Sequence, residues 1–166
     1  MPLLKDGKRV ADPWVHVADE VAVPATGAVI VGLKRWRHER ASLLKRGDPV
    51  GVRLKSMHTA SDVADDLDHL GVVALALPVF TDGRAYTNAR RLRERHGYRG
   101  EIRAIGNVLP DQYLFMLRCG FDAFEVRAGD TEKDWDKAVQ AISVFYQPAA
   151  DGRESALSLR HRTPGA

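Results

Sequence analysis

The stretch VVALALPVFTDGRAYTNARRLRERHGYRGEIRAI, residues 72–105, decides the fold. Val72–Leu77 is an unbroken apolar run, suited to a strand buried on both faces. Asp82–His96 reads as a strong helix that Gly97 stops. Glu101–Ile105 resumes as a strand, with Ile102 and Ile105 apolar. Strand, helix and strand in quick succession predict a parallel pair joined by a right-handed crossover.

The same alternation extends both ways. Upstream, Ala28–Leu33 (AVIVGL) reads as a strand and Arg35–Arg46 as a helix ending at Gly47. Val50–Leu54 is the next strand. Ser61–Leu70 is a short acidic helix, with Val63, Leu67 and Leu70 at helical spacing. Downstream, Pro110–Arg118 is a helix with proline at its favoured first position. Asp122–Val126 is a strand, and Thr131–Tyr146 a helix with Trp135, Ala138, Val139, Ile142 and Phe145 on one face. Five strand–helix repeats imply an α/β fold with a five-stranded, mostly parallel sheet. Two architectures fit: a flavodoxin-like open sheet with helices on both faces, expected first because it closes its core within one chain, and a half-TIM-barrel-like arrangement that pairs with a second copy. Residues 1–27 read as an irregular arm with room for one edge strand near Trp14–Val17. Residues 28–147 form the single α/β domain, and residues 148–166 a flexible tail.

Composition narrows the class. The 166 residues are 45% hydrophobic and 28% charged, enough for a real core and against wholesale disorder. No apolar run approaches the roughly 18–20 residues that cross a bilayer. The N-terminus lacks a signal-peptide core, so a cytoplasmic protein is expected. The single cysteine, Cys119, excludes an intramolecular disulfide and an all-cysteine metal or cluster site within one chain. It closes a predicted helix, where the dipole disfavours a thiolate, and reads as buried and structural. The six histidines, His16, His38, His58, His69, His96 and His161, show no metal-ligand spacing. No G-x-G-x-x-G, Walker A or G-x-S-x-G motif is present.

The net charge of +3 is unevenly spread. Arg84, Arg90, Arg91, Arg93, Arg95, Arg99 and Arg103 crowd one segment, opposed there only by Glu94 and Glu101. Such density serves either anion recognition or a solvated helix face laced with ion pairs. Nucleic acid is disfavoured, because no nucleic-acid motif accompanies it.

Ligands of parallel sheets bind beyond the carboxyl ends of the strands. Three loops there carry chemistry: 78–84, 106–112 and 127–131. They offer Thr81, Asp82, Gly83, Arg84 and Tyr86, then Asn107, Asp111 and Gln112, and Arg127. Asp82 and Asp111 are the acid/base candidates. Arg84 and Arg127 are the anion partners, Gly83 permits close approach, and Thr81 or Asp82 can cap the following helix. Each also has a plain structural role open to it: helix-start carboxylates, their ion pairs, a packed tyrosine and a turn asparagine.

Several stretches together resemble a known bacterial family: Phe80–Tyr86 (FTDGRAY), Ala89–Arg93 (ARRLR), Tyr98–Ala104 (YRGEIRA), Val108–Gln112 (VLPDQ) and Arg118–Glu125 (RCGFDAFE). The family is of unknown function (DUF934), is often encoded beside assimilatory sulfite reductase, and is labelled as oxidoreductases of sulfite reduction. The resemblance covers roughly residues 28–127. Where the family typically has Arg-Asp-Gln, this chain has Pro110-Asp111-Gln112. The resemblance implies a cytoplasmic role in sulfur assimilation. A self-sufficient sulfite reductase is not expected, because multi-electron reduction needs redox cofactors that one cysteine cannot hold. The expectation is an accessory protein that binds a small anion or docks on a sulfur-pathway enzyme, such as sulfite reductase or a sulfonucleotide reductase. The alternative is an oxidoreductase with a non-covalently bound flavin or nicotinamide. No metal is expected, a homo-oligomer is compatible, and strand order is left open.

Overall fold

The computed structural model describes residues 1–161. Its single sheet has eight strands: β1 (Leu3–Lys5), β2 (Lys8–Val10), β3 (Trp14–His16), β4 (Ala28–Gly32), β5 (Val50–Leu54), β6 (Leu70–Leu77), β7 (Glu101–Gly106) and β8 (Ala123–Glu125). Their order is β2-β1-β8-β7-β6-β5-β4-β3. From β3 to β8 every neighbour is parallel and next in sequence. The hairpin β1–β2 adds two antiparallel strands beside β8.

This order corrects the flavodoxin-like expectation. A doubly wound sheet reverses its strand order partway, so its crossovers fall on both faces. Here the order never reverses, and right-handed crossovers between successive neighbours all fall on one face. The α/β class therefore holds in its half-barrel form, with eight strands rather than five. The three extra strands come from residues 1–27. They have three residues each: β3 lies where an edge strand was expected, near Trp14–Val17, whereas β1 and the fully exposed β2 are too short for periodicity to reveal.

The curl of the sheet is measurable. Five strand spacings separate β3 from β8, about 24 Å if the sheet were flat. Yet His16 Nε2 of β3 lies 2.6 Å from Glu125 Oε1 of β8. Only a strongly coiled sheet brings those side chains together.

The helices cover the convex face: α1 (Leu33–Leu43), α2 (Arg84–Arg90), α3 (Tyr113–Cys119) and α4 (Glu132–Gln140). A run of 3₁₀ turns over Ala60–His69 replaces the expected acidic helix, and α2 ends in a π turn over Arg91–Arg95. A short α5 (Ala156–Arg160) lies within the predicted tail. Before it, the Ala150 N–H donates to the Arg118 carbonyl, and Arg118 pairs with Asp151. Residues 162–166 of that tail lie outside the described residues.

Alternation along the strands separates two cores. The large one, between sheet and helices, takes Val29 and Val31, Val52 and Leu54, Val73, Leu75 and Leu77, Ile102 and Ala104, and Phe124. Trp36 enters it from α1 and donates its indole N–H to Asp66 at 2.6 Å. Tyr113, Phe124 and Trp135 meet edge to face or tilted, at 4.7–6.3 Å between ring centres. Each such side chain contributes on the order of 1.5–3 kcal/mol by burial. The small core, on the concave face, holds Ile30, Val72, Ala74 and Ile105 with Trp14 and Ala76. No helix among the described residues is long and apolar enough to cross a membrane.

Candidate functional site

The carboxyl ends of β5–β8 carry the loops where a site was expected. The structure places the nine predicted residues in three groups. In the first, Asp82 accepts from Arg84 Nε at 2.9 Å and Nη2 at 2.7 Å, and from its backbone N–H at 3.2 Å. The Arg84 guanidinium, helped by that N–H and by Ser56, holds the Asp82 carboxyl well below the usual carboxylate range. Asp82 is thus a fixed counter-ion, poorly matched to proton transfer near neutral pH. Gly83 precedes α2 in open space, and Thr81 is exposed.

The second group faces α3. Tyr86 packs on Phe115 and Phe121, with ring centres 5.1 and 6.2 Å away. Burial, with Cys119 and Asp111 nearby, pushes its phenol up to about 12. Asp111 borders an apolar groove shared by Leu114, Phe115, Ile142 and Phe145. The Gln112 side-chain oxygen is buried without a partner. In the third group Asn107 Oδ1 accepts from Arg127 Nη2 at 2.8 Å. Among the described residues no side-chain hydrogen bond or ion pair joins these groups to one another; the Tyr86 N–H donates to the Gly83 carbonyl within the first turn of α2.

Cys119 is buried at the end of α3, and burial pushes its thiol up to about 11. It is therefore neutral and unreactive at physiological pH. Iodoacetamide at pH 8 is expected to label Cys119 in urea and to leave the native protein unlabelled for hours; rapid native labelling would refute this environment.

One loop was overlooked at the sequence level. Ser56–Thr59 follows β5 and meets α2 across a cavity of about 200 Å³ lined by Ser56, His58, Thr59, Arg84, Asn88 and Arg91, among others. Asn88 is buried and fastens the two walls. Its amide oxygen accepts from the Ala60 N–H at 3.0 Å, and its amide nitrogen donates to the His58 carbonyl at 2.9 Å. His58 Nδ1 accepts from the Lys55 N–H at 3.1 Å, which leaves the proton on Nε2. Burial first, then the Arg37 and Lys55 charges, lower the His58 pKa against the opposing pull of Asp62, so the ring is a neutral donor at pH 7. No carboxylate lines this cavity. The rule that singled out the other loops applies equally here. The uncharged look of Ser-Met-His-Thr hid it.

The concave face carries a second polar assembly that was not foreseen. The Arg103 side chain is wholly buried in β7. It donates to Asp12 at 2.7 and 3.1 Å, to Glu101 at 2.7 Å and to Glu125 at 3.2 Å. Lys5 pairs with Glu101, and His16 with Glu125. Burial works to raise the Glu125 carboxyl, but His16 and Arg103 outweigh it and hold it below its ordinary value. Arg93 is likewise structural, donating to the Gly120, Tyr98 and Gly100 carbonyls and to Asp122. The arginine-rich segment thus divides. Arg93 and Arg103 hold the fold, Arg84 and Arg90 are paired with Asp82 and Glu94, and among the described residues Arg91 makes no ion pair.

No curated protein matches this chain. The family described as bacterial protein of unknown function (DUF934) matches residues 51–157, more than half of the chain and both walls of the rim cavity, and the chain belongs to that family.

Proposed function

We propose that this protein is a cytoplasmic accessory protein of assimilatory sulfate or sulfite reduction that binds a small oxyanion at the carboxyl-end rim, between Ser56, His58, Arg84 and Arg91. One observation carries the reading. The cavity suits a small tetrahedral or pyramidal anion in size, and its lining offers the Arg84 and Arg91 guanidiniums, the Thr87 hydroxyl and the neutral His58 imidazole, with the neighbouring Asp82 carboxylate already bound by Arg84. Asp82 holds Arg84 in place through two hydrogen bonds and so sets the guanidinium in advance of binding. The sulfur pathway itself is supported by the sequence resemblance, and delivery of the anion to sulfite reductase or a sulfonucleotide reductase follows as the role.

Titration calorimetry with sulfite and sulfate tests the site. The wild type is expected to bind, and Arg84→Ala and Arg91→Ala each to weaken binding about tenfold or more, as for loss of one charge-assisted contact. Both residues are exposed, so the melting temperature should hardly move. In a host that depends on this protein, Arg84→Ala should slow growth on sulfate at normal protein level. Absence of binding by the wild type at millimolar anion would sink the reading.

A further inference from the structure

His58 lines a second, more open cavity on its other side, of about 450 Å³, together with Leu33, Lys34, Arg37 and His38. The imidazole therefore stands between two recesses at the same rim. On one side are Arg84, Arg91 and the hydroxyl of Thr87. On the other are Lys34, His38 and Arg37, of which Arg37 is held by Asp62 at 2.6 Å. Lys34, His38 and Arg91 make no ion pair among the described residues, and the two carboxylates beside the recesses, Asp82 and Asp62, are bound by Arg84 and Arg37. Each recess thus has a cation of its own left uncompensated. The wall between them is a neutral ring whose Nδ1 is occupied by a backbone N–H and whose Nε2–H is left to donate.

A single small anion can satisfy one recess only. From this division we infer that the rim takes a ligand with two oxyanion groups joined through a bridging oxygen, of the diphosphate class. One group would lie with Arg84, Arg91 and Thr87, the other with Lys34 and His38, and His58 Nε2 would donate between them. The inference rests on the anion-binding reading of the first recess and extends it to a second. Joining two anionic groups makes the second contact intramolecular, so affinity rises without any new kind of interaction.

The test compares sulfate, orthophosphate and inorganic pyrophosphate by calorimetry at fixed ionic strength, without added metal. Pyrophosphate is expected to bind about tenfold or more tighter than either single anion. Lys34→Ala should remove most of that advantage and leave sulfate affinity unchanged, whereas Arg91→Ala should weaken both. Arg95→Ala is the control for general surface charge and should alter neither. Circular dichroism confirms that each variant is folded. Pyrophosphate binding no tighter than sulfate would overturn the inference while leaving the single-anion site standing. So would Arg95→Ala weakening pyrophosphate as much as Lys34→Ala. Failure of the wild type to bind any of the three would overturn both readings.

Discussion

Arg103→Met is expected to lower the free energy of unfolding by about 3–5 kcal/mol, the usual cost of breaking a buried ion network from one side. The physical cause is what remains. Asp12, Glu101 and Glu125 all lie on Arg103, and Glu101 and Glu125 are nearly buried. With the guanidinium gone, Glu101 keeps Lys5 and Glu125 keeps His16, and among the described residues Asp12 keeps no ion pair. Methionine fills much of the volume, so the loss reports charge rather than a cavity. Urea denaturation measures it, and a loss below about 1 kcal/mol would mean the network is dispensable.

The same network predicts an acid response. Glu125 is depressed in the folded protein, so it binds a proton less readily there than in the unfolded chain. Its contribution is fully present above the ordinary glutamate pKa and is lost as pH falls through the depressed folded value. Glu125→Gln should therefore flatten the stability profile below about pH 4.5 relative to the wild type. An unchanged slope would show that other carboxylates carry the acid response. The arm that supplies Asp12 and His16 is held to β7 and β8 by these contacts, so its detachment should accompany the acid transition.

Gly106→Ala should be nearly as damaging, at about 3 kcal/mol or more, and through the backbone instead of charge. Gly106 ends β7 with φ +97°, a conformation L side chains rarely adopt. A Cβ there would stand 2.6 Å from the Leu77 carbonyl oxygen. That oxygen already accepts from the Asn107 N–H at 2.7 Å. The methyl group must push the ends of β6 and β7 apart or displace Asn107, and with it the contact to Arg127. Gly83→Ala is the matched control, because its Cβ meets nothing within 4 Å; it should leave the melting temperature within a degree or two. Equal effects of the two substitutions would show that composition, not geometry, governs these loops.

Particular residues show how far the sequence was legible. Apolar alternation found β4–β8, because two faces of a buried strand leave a plain hydrophobic record. It missed β1 and β2, a hairpin of three-residue strands too short to show a period, whose pairing with β8 is nonlocal. Asp82 and Arg84 were rightly seen as a unit, since they are two residues apart and short-range geometry joins them. Arg103 was read with the helix arginines, because a guanidinium looks the same in a sequence whether it meets water or three carboxylates. Asp12 lies 91 residues from Arg103, and Glu125 lies 22 away. Strand pairing brings Glu125 of β8 beside β7, and only the folded sheet brings Asp12, from the link between β2 and β3, to the same guanidinium.

The sequence by itself determined the repeat of strand and helix, the crossover hand, the membership in its family and the inert character of Cys119. These follow from local propensity, from the chirality of the chain and from quoted motifs. The tertiary structure alone decided that the strands run in unbroken order, that the sheet curls until β3 reaches β8, and that Ser56 and His58 face Arg84 and Arg91. Each of those depends on which distant segments become neighbours, and that is settled by packing across the whole core rather than by any window of residues.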